Sequence, residues 1–397
     1  MARKMDVTKK LFSKPKILFI YSNMGDGGTQ RQRSILSKEL QKEYDLSIAL
    51  FENIQLHKFY GKIIDLKAPT SKNIIILIKN TIKRIILIKK LTKNNSYDLV
   101  VSSSFIANFI CLLTWHLGKI KIPLLITFNN SLAKTKKMGV SGKISMFIIK
   151  KYIFSVTKII TVSKGLEKEL IKANFPAEKI ITIYNGIDFK EMKKKSEEKI
   201  DPLYEDFFSD SFYKIISIGR LNLQKDFKTL IKAFAIVIKT LSAKLYILGE
   251  GEELNYLQSV TAQVGLENNI YFLGWVDNPY KYLKKSDLFV LSSLWEGFPN
   301  VLIEALGCDL PIVSTDCPTG PSEIITPQQN GLLVPIKNEI KMAEAIINIL
   351  KDKSLYTSLK KKIAITSLSF DIKNVALQWD QLFKEILVPG IGNIGKK

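Results

Sequence analysis

The chain has 397 residues, 46% hydrophobic and 24% charged, with 21 glycines and 13 prolines; this composition excludes collagen, coiled coil and disorder, and the length suits two domains that each bury a core. Three cysteines (Cys111, Cys308, Cys317) and two histidines (His57, His116) are too few and too scattered for a disulfide framework or a zinc cluster, so a reducing compartment is expected. The net charge of +22 is lopsided, with 38 Lys and Arg against 15 Asp and Glu in residues 1–200 but 21 against 22 in residues 201–397, so the first half is expected to face something anionic, lipid headgroups or nucleic acid.

The basic stretch 1–16 leads straight into KILFIYS, which reads as a buried strand and not as the apolar core of a secretion signal. Apolar runs such as 74–78 are far shorter than the about 20 residues a spanning helix needs, so no membrane crossing is expected. Short runs that are apolar on both faces follow at 16–22, 45–51, 97–103, 122–128 and 157–163, and the rhythm repeats at 213–219, 243–249, 269–274, 287–293 and 310–316. Such runs, alternating with helical stretches, predict two doubly wound α/β domains with parallel sheets. The charged stretch 190–206, with no apolar period, marks the boundary, giving residues 1–195, 196–375, and a tail 376–397 returning toward the first domain. Ligands of open α/β sheets bind outside the carboxyl ends of the strands, and two facing sheets would make a crevice.

Two strand ends carry chemistry. EGFPNVLIE follows the run 287–293 and sets Glu296 in a loop and Glu304 a turn into a helix, with the amides of Asn300, Val301 and Leu302 opening that helix toward an anion. GRLNLQKDF follows the run 213–219 and places Gly219, Arg220 and Lys225 at a second strand end. Arg grips a diphosphate bidentately and Lys adds a point charge. Either element alone reads first as ordinary structural or surface charge; the two together favour a nucleotide diphosphate.

With GEGEE (249–253), FLGWV (272–276), DCPTGPSEII (316–325) and NGLLVP (330–335), and with MGDGGTQRQ (24–32), VSKG (162–165) and YNGID (184–188), the chain resembles the retaining glycosyltransferases of family 4 along nearly its whole length. The resemblance implies a GT-B fold, two Rossmann-like domains facing across a cleft, with a nucleotide sugar donor on the C-terminal domain and the acceptor on the N-terminal one. It assigns Arg220 and Lys225 to the diphosphate, Glu304 to the ribose, Glu296 to a donor sugar hydroxyl, and the amides near Val301 and Leu302 to a phosphate. It also places Gly249 at the donor site, and Gly27 and Gly28 where backbone approaches the donor phosphate. Many members have a His where this chain reads Phe128-Asn129-Asn130; Asn129 can bond a sugar hydroxyl but cannot carry a proton at neutral pH. The chain has no Asp-x-Asp metal clamp, so neither metal nor cofactor is expected, and Arg220, Lys225 and helix amides would stabilise the leaving diphosphate. Retention by front-face departure and attack is implied. The wording of 316–325 looks most like bacterial enzymes using UDP-N-acetylhexosamines for polysaccharide or glycoprotein glycan assembly on a lipid-linked acceptor; GDP-mannose remains an alternative.

In residues 71–94, Ile74, Ile75, Ile78, Ile82, Ile85 and Ile86 recur at helical spacing and are expected to pack on the first sheet. Lys79, Lys83, Arg84, Lys89, Lys90 and Lys93 would then form a rim against an anionic membrane surface, on the cytoplasmic face of the inner membrane, extended in sequence by Lys134, Lys136, Lys137, Lys150 and Lys151. Two rivals stand beside this reading. A nicotinamide oxidoreductase needs a G-x-G-x-x-G turn with an acid about 20 positions on, which is missing; a nucleic-acid binder needs basic residues interleaved with exposed aromatics, and no such stretch stands out.

Overall fold

The computed structural model describes residues 13–25, 27–71, 73–132, 139–202, 204 and 212–388; Lys134, Lys136 and Lys137 lie outside them. The chain divides into two units, residues 1–162, 166–184 and 372–397 forming one and residues 163–165 and 185–371 the other.

In chain order the first unit contains β1 (Lys16–Tyr21), α1 (Gly28–Leu40), β2 (Asp45–Leu50), β3 (Lys62–Asp65), α2 (Ile74–Asn94), β4 (Leu99–Ser103), α3 (Phe105–Gly118), β5 (Leu124–Phe128), α4 (Gly139–Tyr152), β6 (Lys158–Thr161), all but the first two residues of α5 (Lys164–Lys172), and β7 (Ile180–Thr182). Its seven strands lie in the order β3-β2-β1-β4-β5-β6-β7, and each neighbouring pair is parallel. The five expected strands are present, and the short β3 and β7 extend the sheet at its edges. The direction of travel reverses after β3, so right-handed crossovers put α1 on one face and α2, α3 and α4 on the other.

Ahead of the second sheet lies α6 (Phe189–Ser196), followed by β8 (Tyr213–Ile218), α7 (Phe227–Val237), β9 (Ala243–Leu248), α8 (Leu254–Gln263), β10 (Ile270–Gly274), α9 (Tyr280–Lys285), β11 (Leu288–Leu291), α10 (Asn300–Gly307), β12 (Ile312–Thr315), α11 (Pro321–Ile324), β13 (Gly331–Val334), α12 (Glu339–Lys351) and α13 (Lys353–Ser367). The six strands order as β10-β9-β8-β11-β12-β13, again all parallel. A core of Leu230, Phe234, Leu245, Ile247, Val290 and Ile346, none exposed, fills one side of this sheet. Finally α14 (Ile372–Leu387) rejoins the first unit, burying Trp379, Leu382 and Phe383 in one cluster with Leu36 and Leu40 of α1. Tyr44 Oη donates to Asp380 Oδ1 at 2.8 Å beside it.

Two expectations are corrected. The division falls at 184/185 and not at 195/196, because the charged stretch is itself helical in α6 and packs on the second unit. Met192 is 2% exposed, and a Cβ added to Gly307 would come within 2.1 Å of its methyl group. The larger correction concerns α2. Asn73 caps it, accepting from the amides of Ile75 and Ile76, but the helix turns the opposite way from the expected one. Its buried residues are Arg84, Ile88 and Thr92, while Ile74, Ile75, Ile78, Ile82 and Ile86 are exposed and Ile85 is half-buried. Arg84 leaves the basic rim altogether. It is fully buried, its Nε donates to Ala68 O at 2.9 Å, and its guanidinium lies 4.4 Å from the Phe51 ring centroid. Lys79, Lys83, Lys90 and Lys93 are exposed and Lys89 is half-buried.

Candidate functional site

In the second sheet the chain winds outward from β8 through β9 to β10, then returns to lay β11 on the other side of β8. The loops leaving β8 and β11 therefore diverge, which is the topological switch point where open α/β sheets hold ligands. Glu296 and Lys225 meet there. Lys225 Nζ lies 2.6 Å from Glu296 Oε1, with side chains 16% and 8% exposed. Ser293 Oγ donates to the same oxygen at 2.6 Å, and Gln224 Nε2 reaches Oε2 at 3.3 Å. The backbone of the loop is held as well. Ser292 Oγ donates to Lys225 O at 2.7 Å, Gln224 Nε2 to Trp295 O at 2.9 Å, and the Thr319 hydroxyl to Glu296 O. A carboxylate so surrounded is held in place beside its ammonium partner with little freedom to move.

Gly219 and Gly249 close the ends of β8 and β9. Gly249 has φ +134°, and a Cβ there would stand 2.1 Å from Gly219 O, so any side chain would push the two strand ends apart. A Cβ on Gly219 would in turn come to 3.1 Å from Lys225 Cε. Gly219, Gly249, Lys225 and Glu296 are thus brought together, and Arg220 follows as an exposed residue.

Asn300, Val301 and Leu302 form the first turn of α10, whose cap, Pro299, offers no side-chain acceptor. Two of the three are already engaged: Leu302 N donates to Pro299 O at 2.9 Å, and the Asn300 side chain accepts from Asn185 Nδ2 at 2.8 Å. Glu304, the fifth residue of α10, is 6% exposed where an open position was expected. Burial, and after it the Glu296 carboxylate, push the thiol of Cys317 up to about 12. All three cysteines are free and buried.

The first sheet has its own switch point, between β1 and β4. Gly27 caps α1 in the loop after β1, with φ +155°, and Gly28 is the first helical residue. Across the strand ends runs a neutral network. The Ser103 hydroxyl is bonded to Tyr21 Oη at 2.5 Å, Thr127 Oγ1 at 2.5 Å and Asn129 Nδ2 at 2.8 Å. Arg33 enters it from α1, its Nε donating to Tyr21 Oη at 2.6 Å and its guanidinium standing 5.1 Å from the Trp379 ring centroid.

Both halves match models of glycosyltransferase families, residues 27–191 that of Glycosyltransferase Family 4 and residues 205–365 that of Glycosyl transferases group 1. An uncharacterized glycosyltransferase of Methanocaldococcus jannaschii is 33% identical over 351 residues, 79% of this chain and 86% of that one. The chain belongs to family 4 of the glycosyltransferases. Among its relatives is the N-acetylgalactosamine-N,N'-diacetylbacillosaminyl-diphospho-undecaprenol 4-alpha-N-acetylgalactosaminyltransferase of Campylobacter jejuni, 29% identical over 90% of this chain and 96% of the relative. A second C. jejuni enzyme, an alpha-1,4-N-acetyl-D-galactosaminyltransferase named for a diNAcBac-PP-undecaprenol substrate, is 25% identical over 94% and 99%. The sucrose-phosphate synthase of Thermosynechococcus elongatus superposes with a TM-score of 0.78 at 20% identity, over 94% of this chain and 99% of that one. The Anabaena protein HepE, solved with UDP-glucose, gives 0.77 at 20% identity over 93% and 99%. Two parallel-sheet Rossmann-like units of the GT-B type are therefore the fold of this glycosyltransferase.

The residues that surround the expected ones carried weaker signals. Gln224 precedes Lys225 and Ser293 stands three before Glu296, yet neither bears a charge or a spacing that marks a site. Arg33 was the more legible, an arginine on the same helical face as Leu36 and Leu40, all three buried. Among the described residues no three His, Cys, Asp or Glu side chains gather as metal ligands, and no helix is long and apolar enough to cross a membrane.

Proposed function

We propose that this glycosyltransferase moves an N-acetylhexosamine from a UDP-linked donor to a glycan carried on undecaprenyl diphosphate, with retention and without a metal, during polysaccharide or glycoprotein glycan assembly. The observation that carries the reading is the Lys225–Glu296 pair at the switch point between β8 and β11. The two C. jejuni relatives, named for undecaprenol-linked glycans and N-acetylgalactosamine transfer, support the acceptor class and the sugar. Resemblance alone supports UDP.

Lys225 and Arg220 neutralise the departing diphosphate, and Glu296, fixed by Lys225, Ser293 and Gln224, accepts from a hydroxyl of the donor sugar. Glu304 holds the ribose, and backbone at Gly219, Gly249 and Val301 approaches phosphate. The bond from the anomeric carbon to the diphosphate oxygen breaks as the bond to the acceptor oxygen forms on the same face. The acceptor's proton leaves on the departing phosphate oxygen, so Asn129 need only orient a hydroxyl. The enzyme is peripheral, with Lys79, Lys83, Lys89, Lys90 and Lys93 turned to an anionic membrane on its cytoplasmic face.

The test is a donor screen followed by transfer to undecaprenyl-diphosphate-linked glycan, read by the anomeric configuration of the product. Turnover of UDP-N-acetylhexosamine that persists in EDTA, and an α product from an α donor, are expected. Preference for GDP-mannose, inversion, or an EDTA loss restored by manganese would each overturn the corresponding part.

A further inference from the structure

The outward face of α2 bears apolar side chains where a solvated helix carries polar ones. Ile75, Ile78, Ile82 and Ile86 are 74%, 56%, 53% and 59% exposed and form one row about 16 Å long at the rise of a helix. Lys79 flanks this row, and the exposed Lys90 and Lys93 continue beyond its C-terminal end. The helix contains no acidic residue. Its inward side holds the buried Arg84, so the polarity of the helix is the reverse of what packing on a sheet requires. Beyond α3 in the same layer, α4 repeats the composition, with Ile144 and Phe147 exposed 55% and 68% among the exposed Lys143, Lys150 and Lys151. Asp98 is the sole acid between Asp65 and Glu167.

We infer that α2 lies in the plane of an anionic lipid surface, with Ile75, Ile78, Ile82 and Ile86 inserted among the acyl chains and the lysines at the level of the phosphates. An apolar row beside cations and without acids has the chemistry of an interfacial helix. A second copy of the chain is a poor occupant, because two such faces would bring lysine against lysine with no acid between them. The inference deepens the peripheral reading proposed above, replacing attraction by charge alone with insertion, and it does not depend on which sugar or acceptor the enzyme uses.

The experiment is flotation with vesicles of phosphatidylglycerol and phosphatidylethanolamine, at low salt and at 1 M salt, where the screening length falls to about 3 Å. Insertion predicts that the full chain still floats at high salt, and that Ile75→Ser, Ile78→Ser, Ile82→Ser and Ile86→Ser combined lowers partitioning by at least about 100-fold. Donor hydrolysis in solution should be unchanged in that variant. A second measurement is independent of it. With the three native cysteines buried, Ile82→Cys takes a polarity-sensitive fluorophore selectively. The label should shift to the blue on vesicles, be quenched by lipids brominated in mid-chain, and be shielded from iodide. A label that stays in water on bound protein, or a serine variant that floats like the parent, would overturn insertion. Floating that vanishes in salt would leave attraction by charge alone. A concentration-dependent dimer that the serine variant abolishes would assign the face to a second copy. Loss of donor hydrolysis with vesicle binding intact would count against the proposed enzyme and leave insertion standing.

Discussion

The two sheets present matching switch points with different chemistry. After β8 and β11 the second unit sets a half-buried ammonium 2.6 Å from a buried carboxylate, with hydroxyl and amide groups fixing the carboxylate. After β1, β4 and β5 the first unit joins Tyr21, Ser103, Thr127 and Asn129 in an uncharged network that Arg33 enters from one side. A preorganised charge acts where charge develops in the reaction, whereas hydroxyl and amide groups orient a partner without changing its protonation. The proposed function divides along the same line, with the second unit handling the leaving diphosphate and the first orienting a hydroxyl.

The largest expected effect breaks the charged end. Lys225→Met leaves Glu296 buried without its cation, which should cost about 3 to 5 kcal/mol of stability by urea denaturation and about 10³-fold in donor turnover. Adding Glu296→Gln should recover most of the stability and none of the turnover. A single variant as stable as the parent would mean that the pair is screened by solvent. Next comes the neutral end. Arg33→Met removes a charge-assisted hydrogen bond to Tyr21 and the contact with Trp379, for an expected loss of about 2 kcal/mol. Transfer to the acceptor should weaken while hydrolysis of the donor in solution persists, and equal loss of both activities would refute the division.

The smallest effect sharpens the comparison through the cysteines. Cys111 in the first unit and Cys317 in the second both have thiols raised to about 12, but the Glu296 charge acts on Cys317 alone. A thiol whose folded pKa lies above its unfolded value, about 8.5, contributes stability that is complete below that value and is lost as pH rises toward 12. Urea midpoints should therefore fall from pH 8.5 upward. Glu296→Gln should make that fall end at a lower pH by lowering the folded value for Cys317, and Cys317→Ala in the same background should remove the difference. A fall that ends at the same pH in Glu296→Gln would place the carboxylate too far away to act.

The sheets were legible because their central strands are short apolar runs ended by glycine or serine, as in YKIISIG and YDLVVSS. The edge strands β3 and β7 were not, since KIID and IIT are too short to show a period. Glu296 and Lys225 were legible as charges following strands, but the groups that hold them, Gln224, Ser293 and Thr319, are uncharged residues whose value depends on geometry. For α2 the period revealed a row of isoleucines and not the side on which it lies. Burial was assumed for the apolar row, whereas Arg84, held by the Ala68 carbonyl and the Phe51 ring, occupies the inside. The boundary failed for a related reason: one buried methionine, Met192, outweighs the charged surface of α6.

The path of α14 has a consequence for biosynthesis. The first unit receives its last helix only after the whole second unit has been made, and the bond from Tyr44 to Asp380 joins residues 336 positions apart. As the chain leaves the ribosome, the face of α1 that will cover Trp379 and Phe383 stays bare while residues 185–371 emerge and can fold as a unit of their own. The amino-terminal portion, although synthesised first, is thus the last to be completed. Its exposed apolar face in that interval is where chaperone binding, or aggregation of chains that stop before residue 372, should concentrate.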